Sequence, residues 1–410
     1  MGNTPKLRFE GFTDAWEQRK LSSVVVRVTR KNTNLESSLP LTISAEYGLV
    51  DQITYFNNRV ASDNISNYYL VKNGEFAYNK SSSDGYPFGT IKRLDLYEMG
   101  VLSTLYIVFA IKESQVDSDF LATYFDTDNW HKHISECAAE GARNHGLLNI
   151  SVDDFLDLTL VIPKNKEEQA QIGSYLKQLD TLITLHQRKC DALTKAKTFY
   201  LQNLFPQEGE KEPRLRLEGF TDSWNPYTLG DLYTERNERG NETLQILTVS
   251  IHTGVSDGAL EEDELGKSVR RSEDKTLYKH VYAGDLIFNM MRAWQGAIGV
   301  AKREGMISPA YISAIPNERI YPPFMNYLLR RKEIISQINN LSYGVTDFRK
   351  RLYWDSFIKV KCCLPSVEEQ KSITDVFEQL DTLITRQEHR IKALKTMKKF
   401  MLQNMFAQEG

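Results

Sequence analysis

The chain has 410 residues, 41% of them hydrophobic and 26% charged, so it can bury the cores of two or three domains. Its formal net charge of −3 argues at first sight against a nucleic-acid partner, although binding depends on where the charges lie. No apolar run approaches the roughly 18 residues that a membrane helix needs, and no signal peptide is recognisable, so we expect a cytoplasmic protein.

The sequence is a tandem duplication whose repeats agree mainly at their ends. Residues 5–16 (PKLRFEGFTDAW) return as residues 213–224 (PRLRLEGFTDSW). The closing stretches also repeat, with QLDTLIT at 178–184 and 379–385, and LQNLF at 201–205 returning as LQNMF at 402–406. Two long repeats favour a molecule with an approximate two-fold axis, in which the end of the chain returns to the N-terminal segment.

The duplication divides the chain into four parts. We expect a frame segment with a first domain at residues 1–163, a long helix and linker at 164–212, a second frame segment with a second domain at 213–365, and a second long helix at 366–410.

Two middle segments of similar length but little identity lie between the conserved ends. Short β-branched and aromatic runs predict strands, at residues 24–28, 105–111 and 158–162 in the first repeat and 286–288, 310–315 and 358–364 in the second. Residues 71–79 align with residues 281–289, so both middles should share one fold. With helical stretches near 120–137 and 323–339, each is predicted to be an α+β domain.

The closing stretches predict two long helices with heptad spacing. Apolar positions recur at alternating steps of four and three from Ile172 to Leu204, and at the same register from Ile373 to Met405. Each helix would hold about 38 residues, and so span about 57 Å. Capping boxes are predicted at their starts, Asn165 with Glu168 and Ser366 with Glu369.

A narrow apolar seam needs a partner, and the nearest partner is the helix of the other repeat. We expect the two helices to form an antiparallel coiled coil, which would bring His186 near Gln387 at the midpoint. Such a polar pair could fix the register of the helices. The alternative is that both side chains face solvent at the edge of the seam.

No constellation of catalytic residues is present. Gly266-Lys-Ser268 resembles the end of a phosphate-binding loop, but Glu261 occupies the position where that loop requires glycine. His131, His133 and Cys137 have a helical spacing that does not bring three metal ligands together. A long chain without such chemistry is more often a binding or scaffolding subunit than an enzyme.

The ordered set of repeated motifs resembles the specificity (S) subunit of type I restriction-modification enzymes. The resemblance covers essentially the whole chain. It depends on the opening FEGFTD-type segments, the Glu-Glu-Gln starts of the helices at 167–169 and 368–370, the LDTLIT cores and the LQN(L/M)F closings.

The resemblance implies the fold and the partners. Two globular target recognition domains, related by a pseudo-two-fold axis, would each read one half of a bipartite, asymmetric site in double-stranded DNA. The helices would set the gap between the half-sites and dock two methyltransferase (M) subunits, with restriction (R) subunits in the full complex. The chain itself would bind no cofactor or metal, since S-adenosylmethionine, ATP and Mg serve the partner subunits.

Polar residues after equivalent strands are the candidates for DNA contact, because base edges are read by such side chains on loops. In the first domain they are Asn79, Lys80, Ser81, Ser82, Ser83 and Tyr86, with Lys80 and the serines at the loop tip. In the second they are Asn289, Arg292, Trp294 and Gln295, although a tryptophan is more often part of a core. Loops before the last strands add Arg143, Asn144, His145, Thr346, Arg349 and Lys350.

A second apolar stripe on the helices is the candidate for subunit docking. A simple helix pair would leave this stripe exposed, and it consists of Leu182, Leu185, Phe199, Leu383 and Phe400. The stripe favours a subunit of a complex over the main alternative, a stand-alone architectural or regulatory DNA-binding protein. A fusion of two methyltransferase-like domains is less compatible with the sequence, which lacks a glycine-rich cofactor loop.

Overall fold

The computed structural model describes residues 4–138, 148–207, 209–241, 243–251, 254–256, 277–344 and 350–407. The chain forms two compact units. The first unit comprises residues 1–187 and 389–410, and the second unit comprises residues 188–388. Each unit therefore contains a part of each long helix.

The first unit alternates short strands and helices ahead of the first long helix. Its elements are β1 (Glu17–Lys20), α1 (Leu21–Val24), β2 (Val25–Arg27), β3 (Leu41–Ser44), β4 (Gly48–Asp51), α2 (Gln52–Phe56), β5 (Tyr69–Lys72), β6 (Phe76–Asn79), β7 (Thr90–Arg93), β8 (Met99–Leu102), β9 (Ile107–Ile111), α3 (Ser118–Tyr124), α4 (His131–Ala138), α5 (Val152–Leu156) and β10 (Thr159–Ile162). The first long helix, α6 (Lys166–Asn203), follows.

The second unit has the same order of elements, except that its described residues contain no counterpart of α2. They are β11 (Asn225–Thr228), α7 (Leu229–Leu232), β12 (Tyr233–Arg236), β13 (Thr248–Ser250), β14 (Gly254–Ser256), β15 (Lys279–Val281), β16 (Leu286–Asn289), β17 (Ile298–Val300), β18 (Gly305–Ile307), β19 (Tyr311–Pro316), α8 (Pro322–Leu328), α9 (Lys332–Leu341), α10 (Trp354–Phe357) and β20 (Lys361–Leu364). The second long helix is α11 (Val367–Asn404). The prediction that the two middles share one α+β fold is confirmed.

The sheets agree as closely as the element order does. A four-stranded antiparallel sheet has the order β2-β9-β6-β7 in the first unit and β12-β19-β16-β17 in the second. Two-stranded pairs β1-β10 and β11-β20 lie where each middle joins its long helix. Large apolar side chains such as Phe76, Phe109 and Phe288 are fully buried on these sheets, so the strands act as a rigid base for the loops between them.

The aligned residues 71–79 and 281–289 each run from the end of one strand through a turn into the next strand. A turn at Asn73-Gly74 separates β5 from β6, and Gly74 has a φ of 84°. In the second unit Gly284 has a φ of 95° at the same place. Glycine adopts this left-handed conformation without the strain of a side chain, so the chain reverses there.

The two long helices have the predicted length and contact one another. Each has 38 residues. In the second unit burial and the nearby carboxylate of Glu388 raise the pKa of the Cys190 thiol. Lys197 lies seven residues after Cys190 in α6, and it binds Asp381, which lies seven residues before Glu388 in α11. The contacts therefore run antiparallel, as predicted.

The helix starts contain a clamp that the capping-box prediction missed. Asn165 and Ser366 do cap the helices, since their side chains accept from the amides of Glu167 and Glu369. The side chain of the second glutamate, however, turns towards the frame segment. Glu168 accepts two hydrogen bonds from Arg8, at 2.6 and 2.8 Å, and a third from Trp16 Nε1 at 3.3 Å.

The same clamp is present in the second unit. Glu369 accepts from Arg216 at 3.0 and 2.8 Å, and from Trp224 Nε1 at 3.4 Å. The two glutamate side chains are 1% and 2% exposed. The repeated Arg, Trp and Glu of the motifs therefore hold each frame segment against the start of a long helix.

The closing LQN(L/M)F motifs complete the cores of the two units. In the first unit Phe406 packs edge-on against Trp16, with ring centroids 6.4 Å apart, and Leu7 N donates to Asn404 O at 2.8 Å. In the second unit Phe205 packs against Trp224, and Leu215 N donates to Asn203 O at 2.9 Å. The prediction that the end of the chain returns to the N-terminal segment is confirmed.

The aspartate of each LDTLIT motif binds a lysine of the opposite long helix. In the first unit Lys398 of α11 lies 2.8 Å from Asp180 of α6 and 2.9 Å from Asp126, which also binds Lys92. In the second unit Lys197 binds Asp381, which also accepts from the Tyr327 hydroxyl at 3.0 Å. Lys398 and Lys197 thus bind specific aspartates, and these ion pairs fix the position of one helix along the other within each unit.

The clamp leads to a prediction about stability. Replacing Arg8 with Leu leaves the Glu168 carboxylate buried without its partner, and breaking a buried pair in this way costs about 3–5 kcal/mol. Urea unfolding of the full chain, followed by circular dichroism, measures the loss. Lys20→Met is the control, because it breaks a pair with Asp157 whose side chains are 49% and 65% exposed. Equal losses for the two variants would contradict the structural role of the clamp.

The partly buried Asp126 makes stability depend on pH. Burial alone would raise the pKa of its carboxyl, but Lys92 and Lys398 outweigh burial and hold the pKa below its ordinary value. A lowered pKa contributes stability above the pKa of the unfolded carboxyl, about 3.9, which is lost as the pH falls through the native pKa.

We therefore expect Asp126→Asn to lower the urea midpoint at pH 7, and the difference from wild type to shrink as the pH falls below about 4. The control is Asp128→Asn, whose side chain is 94% exposed and whose replacement should change little. A difference that stays constant between pH 7 and pH 3 would count against the ionised Asp126 network.

Candidate nucleic-acid interface

The loop after β6 of the first unit is a tight, exposed turn. Asn79 uses its side-chain oxygen to accept from Ser81 N at 3.1 Å, and Ser83 and Tyr86 exchange backbone hydrogen bonds of 3.2 and 2.9 Å. A side chain at Gly89 would place its Cβ 2.1 Å from Asn79 O, so only glycine lets the loop close. This construction leaves Ser81, Ser82, Ser83 and Tyr86 exposed to solvent.

Lys80 is not at the tip of this loop, which corrects its predicted placement. It is half-buried, and its Nζ donates to Ile150 O at 3.2 Å. Its own carbonyl accepts from Leu148 N at 2.9 Å. The residue lies at the end of β6, where the chain is still anchored to the segment before α5, so its ammonium group is directed onto that segment.

The equivalent segment of the second unit begins with the same turn. Asn289 is 8% exposed, and its side-chain oxygen accepts from Met291 N at 3.0 Å. Asn79 and Asn289 therefore both use that oxygen within the turn. A short 3-10 turn at Ala293–Gln295 follows, and it leaves Arg292 and Gln295 exposed.

Trp294 is half-buried and supports this segment. Its Nε1 donates to Met291 O at 2.9 Å, and Lys350 Nζ lies 5.9 Å from its ring centroid. Lys350 also donates to Asn339 Oδ1 at 2.7 Å. Lys350 therefore lies beside the exposed segment that contains Arg292.

The segment before α10 adds two residues that were not among the site candidates. Leu352 N donates to Met290 O at 2.9 Å, which matches the bond between Leu148 and Lys80 in the first unit. Next to it, Arg351 and Tyr343 exchange backbone hydrogen bonds of 3.0 Å, and both are exposed. Arg351 directly follows the predicted Arg349 and Lys350, and that neighbourhood was the available signal.

Five predicted contacts fall outside the described residues. They are Arg143, Asn144, His145, Thr346 and Arg349.

The proposed docking stripe consists of exposed side chains on the long helices. The exposed fractions are 42% for Leu182, 60% for Leu185, 54% for Phe199, 37% for Leu383 and 51% for Phe400. The proposed register residues differ in burial, because Gln387 is 1% exposed and His186 is half-buried. Their pairing stays a prediction.

The described part of the chain lacks two further features. Within it, no group of three His, Cys, Asp or Glu side chains is arranged to hold a metal ion. Among the same residues, no helix combines the length and the apolar character needed to cross a membrane.

Comparison with known proteins finds a family model that matches part of the chain. Residues 14–195 match the family model described as "Type I restriction modification DNA specificity domain". No curated protein matches the chain.

Solved structures resemble the chain over nearly its whole length. The S subunit of a type I restriction-modification system from M. genitalium is 16% identical, with a TM-score of 0.61 over 99% of this chain and 100% of that one. The HsdS subunit from Thermoanaerobacter tengcongensis is 14% identical, with a TM-score of 0.43 over 96% of each chain. The first of these shows that the fold is shared, and the α+β class with two long helices is confirmed.

Proposed function

We propose that this chain, whose residues 14–195 belong to the type I restriction-modification DNA specificity family, reads a bipartite and asymmetric sequence in double-stranded DNA. Each unit would read one half-site. The observation that carries the proposal is that two units of one fold present different side chains at equivalent loops: serines and Tyr86 after β6, but Arg292 and Gln295 after β16. Different side chains at the same place select different bases.

The long helices would set the gap between the half-sites and bind the partners. With 38 residues, each helix is about 57 Å long, which exceeds one turn of DNA, about 34 Å. Their ends are held by the clamps and their seam by the Lys–Asp pairs. The exposed stripe would dock two methyltransferase subunits, and restriction subunits would join in the full complex.

The chain would act without chemistry of its own. S-adenosylmethionine, ATP and Mg would be used by the methyltransferase and restriction subunits, in the cytoplasm. A stand-alone architectural or regulatory DNA-binding protein is the competing function. It would have no use for an apolar stripe of which Leu185 is 60% exposed.

The first test concerns reading. We expect Arg292→Ala to relax one half-site only, at a cost of about 1–3 kcal/mol if the guanidinium binds guanine in bidentate fashion. We expect Tyr86→Ala to affect the other half-site only. Sequencing of methylated adenines in a host that carries each variant shows which bases are still required.

Lys359→Ala serves as the control for Arg292→Ala, because it removes an exposed cation of the same unit away from the candidate interface. Retention of both wild-type half-sites by Arg292→Ala would remove that residue from the interface. Relaxation of both half-sites by one variant would contradict the division of reading between the units.

The second test concerns docking. Replacing Leu182 and Leu185 with Ser should abolish co-purification with methyltransferase subunits, because it removes exposed apolar area from one helix face without touching the buried seam. Leu105→Ser, on an equally exposed leucine of the same unit (61%), should leave the complex intact. Light scattering of the purified complex should give two methyltransferase subunits per chain. A double variant that still binds both would show that docking uses another surface.

A further inference from the structure

A strongly basic cavity lies in the second unit, between the end of α6 and the junction of α8 and α9. Its volume is about 720 Å³. Six basic side chains line it: Lys197, Arg214, Lys302, Arg330, Arg331 and Lys332. Two acidic side chains, Asp381 and Glu333, are also present, so the lining carries an excess of four positive charges.

The two arginines at the base of the cavity are held in place. Arg331 has a side chain that is 8% exposed, donates to Pro206 O at 2.8 Å and lies 5.1 Å from the Phe205 ring centroid. Arg330 donates to Ile251 O at 2.7 Å. Burial lowers the pKa of both guanidiniums, and the carboxylates of Asp381 and Glu333 offset this only in part. Arg331 also lies 3.3 Å from Glu333, so the two fixed guanidiniums place positive charge at a defined point of the lining.

The first unit has the opposite charge at the same position. Asp126 is the second residue after α3, as Arg330 is the second residue after α8. Asp126 binds Lys92 and Lys398, so the basic groups there are neutralised within the unit. Two residues on, Asp128 stands where the second unit has Lys332. The two units therefore share a fold but carry side chains of opposite charge at this position.

The cavity borders the candidate interface. Arg330 binds the carbonyl of Ile251, and that same oxygen lies 3.9 Å from the point where a Cβ on Gly296 would stand. Gly296 directly follows the exposed Gln295. A duplex that contacts Arg292 and Gln295 would therefore have its backbone close to the rim of the cavity, where Lys302 and Lys332 are exposed.

We propose that this cavity binds a phosphate group of the DNA backbone next to the half-site read by the second unit, and that the first unit makes no such contact at its Asp126 position. The proposal rests on the proposed function. The phosphate contact would bind one half of the duplex more strongly than the other, independently of base sequence. A free nucleotide fits less well, because Tyr327, the aromatic residue of the lining, is already stacked on Phe377 at 4.8 Å and bonded to Asp381.

The experiment measures how DNA binding depends on salt. The complex of the chain with its methyltransferase subunits is titrated onto a duplex that carries the bipartite site, at several salt concentrations. The variant is Lys302→Ala with Lys332→Ala, which leaves the two anchored arginines in place. The control is Lys359→Ala with Lys371→Ala, which removes the same charge from exposed positions of the same unit.

We expect the slope of log K against log salt to fall in magnitude by about 1–2 for the variant, with unchanged site preference, and to stay near wild type for the control. We also expect a neutral methylphosphonate beside the second unit's half-site to weaken binding by wild type more than by the variant. An equal slope for variant and control would overturn the proposal, and so would an equal methylphosphonate effect on wild type and variant. Loss of methyltransferase subunits with an unchanged slope would overturn it too, by assigning the cavity to an acidic protein partner. Failure of wild type to bind the duplex would instead refute the proposed function.

Discussion

A carboxylate buried at the start of each long helix has to be paired, and its pairing organises the whole chain. Glu168 and Glu369 are 1% and 2% exposed, and each receives a guanidinium and an indole N–H from the frame segment of its repeat. Because an unpaired buried charge is strongly destabilising, the frame segment, the helix start and the adjoining β pair form one junction. The α+β sheet of each unit is built on this junction, and the loops that present side chains are built on the sheet.

Each junction also includes the closing segment of the other repeat. Phe406 packs against Trp16 and Phe205 packs against Trp224, so the closing motif of one long helix completes the core beside the start of the other. The Lys–Asp pairs at Asp180 and Asp381 then fix the helices lengthwise. The residues that recur in the two repeats thus form the contacts that hold each unit together. The segments between these motifs are free to differ.

Repetition and heptad spacing were sufficient to predict the long helices, the shared α+β fold and the return of the chain to its start, because these features depend on patterns along the sequence. The partners of individual side chains were harder to predict. The sequence shows that Glu168 fits a capping box, but only the packed structure shows that Arg8 and Trp16 bind it. Lys80 looked like a loop-tip residue, yet its ammonium group reaches Ile150 O, a partner 70 residues away. The basic cavity could not be predicted either, because Lys197, Lys302 and Arg331 are far apart in sequence.

Two units of one fold with unlike loops and an uneven distribution of charge suit a target whose two halves differ, and the recognised DNA sequence tests this most directly. Methylated adenines can be mapped across the genome of a host strain with this gene intact and with it deleted. Deletion should remove one methylated motif, made of two different half-sites separated by a fixed gap. Loss of a palindromic motif, or no change in methylation in a host whose methyltransferase subunit is active, would contradict it.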